Sequence, residues 1–177
     1  MDPERLQTAR LLLRRPMLAD AAAIFDRYAG DPVVTRYLIW PLHRTLADTH
    51  AFLAWSDAEW GKGPAGPYLV FSREDNTLLG GTGLSFKSQT CAVTGYVFAR
   101  DAWGRGYATE SLQAMVDLAG ELGVRRLEAL CHVDHRASAR VLEKCGFQLE
   151  EILREHTEFP NLAPAQKLDV LSYVHCF

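Results

Sequence analysis

Hydrophobic positions along this chain repeat with two periods, one typical of helices and one typical of strands. The clearest helical repeat is followed by Gly123, and glycine commonly ends a helix; its apolar positions are Leu112, Met115, Val116, Ala119 and Leu122. Helical spacing also runs from Leu18 to Tyr28, and the Gly30-Asp31-Pro32 sequence is expected to break that helix and begin a short one. Thr45 with Asp48 resembles a capping box, so a further helix is expected after Thr45.

Short apolar runs between these helices predict strands. A last short helix is expected over residues 137–145, where Gly146 stops it, and the predicted strands cover residues 10–15, 68–72, 78–86, 92–100, 126–132, 147–153 and 168–174. The three strands between residues 68 and 100 follow one another with only turns between them, which is typical of an antiparallel meander. The order β-α-α-β-β-β-α-β-α-β-β therefore predicts an α/β sandwich with a mixed sheet.

Length and composition narrow the class of protein. A chain of 177 residues with 48% apolar residues predicts one globular domain, residues 1–177. A net charge of −3 gives no electrostatic reason to expect binding to nucleic acid or to a membrane surface. The four cysteines form no Cys-x-x-Cys pair, and the sequence shows neither a signal peptide nor a membrane-spanning apolar run. We therefore expect reduced thiols in the cytoplasm, and no metal, since Cys131, His132 and His135 lack a second ligand cluster.

A glycine-rich turn directly precedes the strongest helix. Gly104 and Gly106 permit backbone conformations closed to other residues, and the helix start offers unpaired N–H groups that favour a phosphate. A tight turn without any ligand is the plain alternative. A P-loop is excluded because the chain has no Gly-x-x-x-x-Gly-Lys-Ser/Thr string. A dinucleotide site is disfavoured, although Glu128 stands near the ribose-binding offset, because the turn follows an antiparallel meander.

Two blocks of sequence resemble a known family. Gly95-Tyr96-Val97-Phe98 with the segment from Trp103 to Glu110 (WGRGYATE) resembles the acetyl-CoA signature of the GNAT N-acetyltransferases, in the wording of the RimJ/RimL-type branch. The segment 134–147 (DHRASARVLEKCGF) is similar to a second block of that branch, and the opening segment 8–14 (TARLLLR) also fits. The resemblance covers nearly the whole chain.

The resemblance implies a fold and a donor. The fold is a mixed central sheet with an antiparallel meander, flanking helices and a V-shaped splay between two parallel strands, where acetyl-CoA would bind without a metal. The residues implied in acetyl-CoA binding are Val97, Phe98, Trp103, Gly104, Arg105, Gly106, Tyr107, Ala108, Thr109, His135, Ser138, Arg140 and Lys144. Ser138 is the implied catalytic residue, a proton or hydrogen-bond donor to the departing thiolate. Tyr37 and Trp40 are expected to form walls of the acceptor pocket.

The chain departs from the family pattern at two places. His135 stands where relatives usually carry Asn, and Val93 and Thr94 stand where many relatives carry a Glu that can act as general base. A base must then come from elsewhere; the candidates are His132, Glu155, His156, Asp169 or a chain of water molecules. A site without a strong base suits a weakly basic amine, because an α-amine is far more often neutral near pH 7.5 than a lysine.

The expected activity is transfer of an acetyl group from acetyl-CoA to a primary amine by direct attack on the thioester. The acceptor partner is expected to be a small molecule or a protein N-terminus, and the protein a monomer or a homodimer. Two alternatives stay open from the sequence. One is a non-catalytic acyl-CoA-binding sensor on the same fold, and the other is an enzyme that acetylates antibiotics or other small molecules.

Overall fold

The computed structural model describes residues 3–177, which form one eight-stranded sheet with helices packed against it. The strands are β1 (Arg5–Gln7), β2 (Leu11–Arg14), β3 (Pro67–Ser72), β4 (Leu78–Ser88), β5 (Cys91–Phe98), β6 (Arg126–His132), β7 (Gln148–Phe159) and β8 (Ala163–Cys176). The helices are α1 (Ala21–Ile24, continued by a π-helical turn over Phe25–Ala29), α2 (Leu46–Trp60), α3 (Tyr107–Glu121) and α4 (Arg136–Lys144). Short 3-10 turns cover Leu18–Asp20 and Arg100–Ala102.

The strand order across the sheet is β1-β2-β3-β4-β5-β6-β8-β7. Every neighbouring pair is antiparallel except β5 and β6, which are parallel. The predicted mixed α/β class and the meander of β3, β4 and β5 are therefore confirmed. The predicted apolar face of α3 is buried, with Leu112, Met115 and Ala119 inaccessible to solvent in a core that also holds Leu127.

The two parallel strands separate partway along their length. They pair only where Cys91–Val93 lies beside Arg126–Glu128. Beyond that point β5 stays paired to β4 as far as Phe98, and β6 stays paired to β8 as far as His132. A gap thus opens between residues 94–98 and residues 129–132. This is the predicted V-shaped splay, and it leaves one edge of each strand without a sheet partner.

Two elements differ from the sequence prediction. The short strand β1 was not predicted; three residues with one buried side chain, Leu6, carry too little pattern to be recognised. The short helix expected after Pro32 does not form. Asp31 there caps an irregular loop, since its side chain accepts the Val33 N–H at 2.8 Å and its carbonyl accepts the Thr35 N–H at 3.0 Å.

The last two strands are longer than predicted. The register of β7 against β8 shifts between Leu149 and Glu151 and again between Leu153 and Thr157. Such bulges interrupt the alternation of inward and outward side chains, so the pattern failed to show that β7 continues to Phe159. The helix after Thr45 begins as predicted, with the Asp48 carboxylate accepting the Thr45 N–H at 2.9 Å. No helix within residues 3–177 is both long and apolar enough to cross a membrane.

Candidate acetyl-transfer site

The turn between β5 and α3 presents a row of free backbone amides. Gly104 and Gly106 have φ of +71° and +80°, in the left-handed region where glycine is favoured. Within the described chain, no backbone hydrogen bond is donated by the amides of residues 104–109; the first helical bond runs from Glu110 N–H to the Gly106 carbonyl. A Cβ built on Gly104 would meet nothing within 4 Å. The turn is open, and its amides at a helix N-terminus fit an anionic group such as a pyrophosphate.

The start of the sheet holds this turn in place. The Glu110 carboxylate, on the first turn of α3, accepts hydrogen bonds from the Thr8 hydroxyl at 2.6 Å, the Arg10 N–H at 2.8 Å and Arg10 Nε at 2.6 Å. Arg10 Nη1 also donates to the Arg105 carbonyl at 2.9 Å, and its guanidinium lies 4.7 Å from the centre of the Tyr107 ring. The hydrogen bonds of Thr8 and Arg10 thus fix the turn and the start of α3 against the beginning of the sheet.

The backbone of β5 offers hydrogen-bonding groups to the gap. Ala99 N–H donates to the Leu79 carbonyl of β4 at 2.8 Å, and in an antiparallel pair such bonds alternate along the strand. The main-chain groups of Val97, which is in register with Gly81, are therefore directed at β4. Those of Tyr96 and Phe98 are directed into the gap. The Val97 side chain packs against the apolar cluster that holds Ile24 and Phe71, so the gap is offered main-chain groups by Tyr96 and Phe98 and not by Val97.

The predicted Trp103 is attached to the same strand. Its indole Nε1 donates to the Phe98 carbonyl at 2.7 Å, although nearly half of the residue surface is exposed. This bond joins the end of β5 to the amide turn, so the two parts of the predicted donor site form one continuous surface. Because the main-chain groups of Phe98 are directed away from β4, its N–H stays available to the gap. Its carbonyl keeps a second lone pair beside the bond from Trp103.

Ser138 meets the gap from α4. The hydroxyls of Ser138 and Tyr96 are 2.8 Å apart, and the Tyr96 hydroxyl also lies 3.0 Å from the Ser138 carbonyl. Burial raises the pKa of Tyr96 above its usual value, so this phenol stays protonated. Burial likewise raises the pKa of Cys131, on β6 beside Ser138, to about 11, despite a hydrogen bond with Ser138 that lowers it. The cluster is a set of neutral proton donors.

His135 is the N-cap residue of α4, three residues before Ser138. Its imidazole stacks on the Tyr37 ring, with ring centroids 4.7 Å apart and an angle of 22° between the planes. Tyr37 also lies 5.1 Å from the His132 ring. Burial, and then the nearby His132, lower the pKa of His135 below its usual value. The His135 imidazole, whose neutral form is favoured, therefore links two parts of the site. Its backbone begins the helix that carries Ser138, and its ring contacts Tyr37 in the loop after α1.

Tyr37 and Trp40, the residues predicted to form walls of the acceptor pocket, lie in the loop between α1 and α2. Both side chains are half-buried, and Trp40 lies 5.2 Å from the His43 ring. The loop is fastened by Asn161, from the turn between β7 and β8. Its side chain accepts the Leu42 N–H at 2.8 Å and donates to the carbonyls of Thr35 at 2.8 Å and Trp40 at 2.9 Å.

The remaining predicted donor-site residues lie around the turn or on α4. Arg105 is exposed with its guanidinium 5.4 Å from the Tyr107 ring centre, and Ala108 and Thr109 are half-buried in the first turn of α3. Arg140 and Lys144 are exposed on α4, where no ion pair involving them is recorded in residues 3–177. The Arg140 and Lys144 side chains are therefore exposed to solvent, where they could contact a negatively charged group outside the gap.

Sequence reasoning did not assign roles to three residues that organise the site. Tyr96 and Glu110 lie within the segments that resemble the acetyl-CoA signature, and that position could have indicated a role for them. Asn161 had none, because a single polar residue in a turn does not show which distant loop it will bind. No group of three or more His, Cys, Asp or Glu side chains suited to a metal occurs in the described part of the chain.

Comparison with known proteins identifies the family of this chain. The family described as "Acetyltransferase (GNAT) domain" matches residues 10–148. Over 156 residues the chain is 28% identical to p20 of Bacillus licheniformis, an uncharacterized N-acetyltransferase, covering 86% of this chain and 87% of p20.

Solved structures share the fold. RimL, a ribosomal L7/L12 alpha-N-protein acetyltransferase solved with coenzyme A, superposes with a TM-score of 0.86 at 22% identity over 98% of each chain. MccE, the microcin C7 self-immunity acetyltransferase solved with acetyl-CoA and AMP, gives 0.84 at 18% identity over 96% of this chain and 94% of its own. Since the family match extends from β2 to β7, across the splay, the amide turn and the Ser138 helix, this chain belongs to the GNAT acetyltransferases and is an acyltransferase.

Proposed function

We propose that the protein is an acetyl-CoA-dependent N-acetyltransferase that acts on a primary amine, with an α-amine of a peptide or protein as the favoured acceptor. The observation that carries the proposal is the continuity of the open amides of residues 104–109 with the unpaired edge of β5, which ends at the Tyr96–Ser138 pair. One surface thus offers an anion site, a strand edge and a proton donor in that order.

Each part of this surface has a role in the proposed reaction. The amides of the turn would hold the pyrophosphate, and the main-chain groups of Tyr96 and the Phe98 N–H would pair with the pantetheine arm as an added strand does. The Phe98 N–H, which is directed into the gap, would polarise the thioester carbonyl. Acetyl-CoA supplies the activated acetyl group. The chain contributes binding and orientation, which is a large part of the rate gain in a two-substrate transfer.

The choice of an α-amine as the acceptor rests on the basicity of the amine and on the acceptor of one structural neighbour. At about pH 7.5 roughly a quarter to a third of an α-amine is neutral, against about a thousandth of a lysine side chain. The described site has no carboxylate at Val93 or Thr94 to remove a proton from a more basic amine. RimL, by its name, is an alpha-N-protein acetyltransferase, which supports the same kind of acceptor for this fold.

Calorimetry and an acceptor screen test the proposal. We expect acetyl-CoA to bind without added metal, and NADH and ATP to compete poorly. A panel of short peptides with free N-termini, amino acids, polyamines and aminoglycosides, with free CoA release as the readout, should show turnover that is fastest for peptides. Binding without turnover on any amine would favour an acyl-CoA sensor, and turnover confined to aminoglycosides would favour drug modification.

Two glycines provide a matched pair of variants for the donor site. Gly104 and Gly123 have φ of +71° and +79°, and a Cβ on either one meets nothing within 4 Å. Gly104→Ala and Gly123→Ala should therefore each lower the free energy of unfolding by a similar roughly 1–2 kcal/mol. Only Gly104→Ala should weaken acetyl-CoA binding, because its Cβ projects from the amide turn. Equal affinity in the two variants would contradict the proposed phosphate site.

A further inference from the structure

The two histidines that flank Tyr37 differ in what their ring nitrogens do. The His132 ring is buried, and its Nδ1 lies 3.1 Å from the Asp134 N–H, which donates to it. In the neutral ring the proton is then on Nε2, so His132 has no free lone pair. The His135 side chain forms no hydrogen bond or ion pair within residues 3–177, and the ring is only half-buried. One nitrogen of His135 is free to accept a proton.

The position of His135 relates it to both substrates. It caps α4, the helix that brings Ser138 to Tyr96 at the edge of the gap. Its ring plane lies against Tyr37, which belongs to the acceptor-side loop. The backbone joins His135 directly to the first turn of α4, since its carbonyl accepts the Ser138 N–H at 3.0 Å. His135 therefore stands where an amine entering along Tyr37 would approach the acetyl group.

We propose that His135 is the general base that takes the proton from the acceptor ammonium; this inference rests on the N-acetyltransferase function proposed above. The other candidates are less well placed. The Asp169 carboxylate is paired with Arg154 and accepts the Glu155 N–H at 2.9 Å. Glu155 and His156 are exposed on β7, and His156 Nδ1 is in contact with the Thr157 hydroxyl at 2.8 Å.

The proton balance of the step is complete with the groups present. An ammonium carries three protons on nitrogen. His135 takes the first, and the nitrogen lone pair that this frees forms the bond to the carbonyl carbon. The second proton leaves nitrogen as the carbon–sulfur bond breaks, and it ends on the departing sulfur with the help of the Ser138 hydroxyl. The third stays on the amide product, and the His135 imidazolium releases its proton to solvent.

The surroundings of His135 favour the neutral ring. Burial lowers the pKa of His135, and the neighbouring His132 lowers it further. The charged or titratable groups near the stack are Arg36, Tyr37, His132, Asp134, Arg136 and, behind His132, Asp169. Tyr37 is the group in direct ring contact with His135. His135 is thus deprotonated above its lowered pKa and ready to accept a proton at physiological pH.

The test compares pH profiles of His135→Asn and the wild type, with acetyl-CoA and a short peptide bearing a free α-amine. Between about pH 6.5 and 7.5, below the α-amine pKa of about 7.7–8.0, the wild-type kcat/KM should be nearly flat because His135 deprotonates the bound ammonium. The variant should depend on amine that is already neutral. Its kcat/KM should be about 10 to 100-fold lower near pH 6.5, rise about tenfold per pH unit, and approach the wild type above about pH 9.

Three controls separate this inference from the function on which it rests. Acetyl-CoA affinity by calorimetry and the thermal midpoint should stay close to wild type in His135→Asn; should that variant not fold, His135→Gln carries the same test. His50→Asn, which alters an exposed histidine on α2, should leave the profile unchanged. An NMR titration should give His135 a pKa below the usual histidine value of about 6.5. A His135→Asn variant with a flat profile like the wild type would overturn the role of His135 alone. A wild type that acetylates no amine would overturn the proposed function and this inference with it.

Discussion

Two hydroxyl groups, of Tyr96 and Ser138, meet at 2.8 Å where α4 reaches the edge of the gap. A phenol has one proton, and it can be given either to the Ser138 carbonyl at 3.0 Å or to the Ser138 hydroxyl. Only in the second arrangement is the serine proton not shared with Tyr96 and able to turn from Cys131 to a departing thiolate. The pair thus has two hydrogen-bonding states, and only one of them suits the proposed role of Ser138.

Ser138→Ala should lower kcat at least about tenfold while barely changing acetyl-CoA affinity. A thiolate leaves readily, since a thiol pKa is about 8.5, and protonation therefore contributes at the low end of general acid catalysis. Steady-state kinetics with calorimetry measure the two quantities, and Ser138→Thr, which keeps a hydroxyl, should recover part of the rate. Loss of acetyl-CoA affinity with kcat intact would make Ser138 a binding residue only.

Among the secondary-structure elements, the acceptor side depends on a contact between the loop that joins α1 to α2 and the hairpin of β7 and β8, near the end of the chain. The loop between α1 and α2 carries Tyr37 and Trp40 and has no regular structure of its own. Its carbonyls at Thr35 and Trp40 and its N–H at Leu42 are all bonded by the side chain of Asn161. The turn between β7 and β8 therefore positions the Tyr37 ring against His135.

Asn161→Ala should loosen this loop. Removing three partners at once leaves the loop groups to water, and we expect unfolding free energy to fall by about 1–3 kcal/mol. The KM for the peptide acceptor should rise several-fold while acetyl-CoA affinity stays unchanged, because the donor surface is built by other elements. Asn161→Asp keeps the acceptor for Leu42 but loses both donations, so it should not recover wild-type KM. Unchanged acceptor KM in both variants would contradict the positioning role.

At the scale of the whole molecule, Glu110 joins residues 100 positions apart in sequence. It ties the segment before β2 to the first turn of α3, and so to the amide turn. Burial raises the pKa of Glu110, but the hydrogen bonds from the Thr8 hydroxyl and from Arg10 outweigh it and hold that pKa below the usual value. A group with a lowered folded-state pKa stabilises the fold only while it is ionised.

Glu110→Gln should destabilise the protein by about 1–2 kcal/mol near neutral pH, since it weakens bonds to a charged acceptor of which little is exposed. The stabilisation by Glu110 is fully present above the unfolded pKa of about 4.3 and is lost as pH falls through the lower folded value. The thermal midpoints of wild type and variant should therefore converge on acidification below about pH 4. A difference that persists there would mean that packing, not charge, accounts for the loss.

Features that depend only on neighbouring residues could be predicted before the structure was known. The apolar face of α3, the start of α2 at Thr45 and the glycine turn at Gly104 and Gly106 follow from spacing, capping and backbone freedom within one or two turns of chain. The two motifs that identify the family are also local strings. Sequence reasoning therefore predicted the fold class and the order of nearly all elements, and missed β1 and the length of β7 because their patterns are short or interrupted by bulges.

Contacts between residues far apart in sequence became visible only in the folded chain. The stack of His135 on Tyr37, the contact of Ser138 with Tyr96 and the bonds of Asn161 each join different elements, and no local pattern specifies them. Whether a histidine is a base depends on which of its nitrogens is already bonded, and that distinguishes His135 from His132 only in three dimensions. Local preference acts over a few residues, whereas the site is made where strands and loops converge, and packing of the whole core sets that geometry.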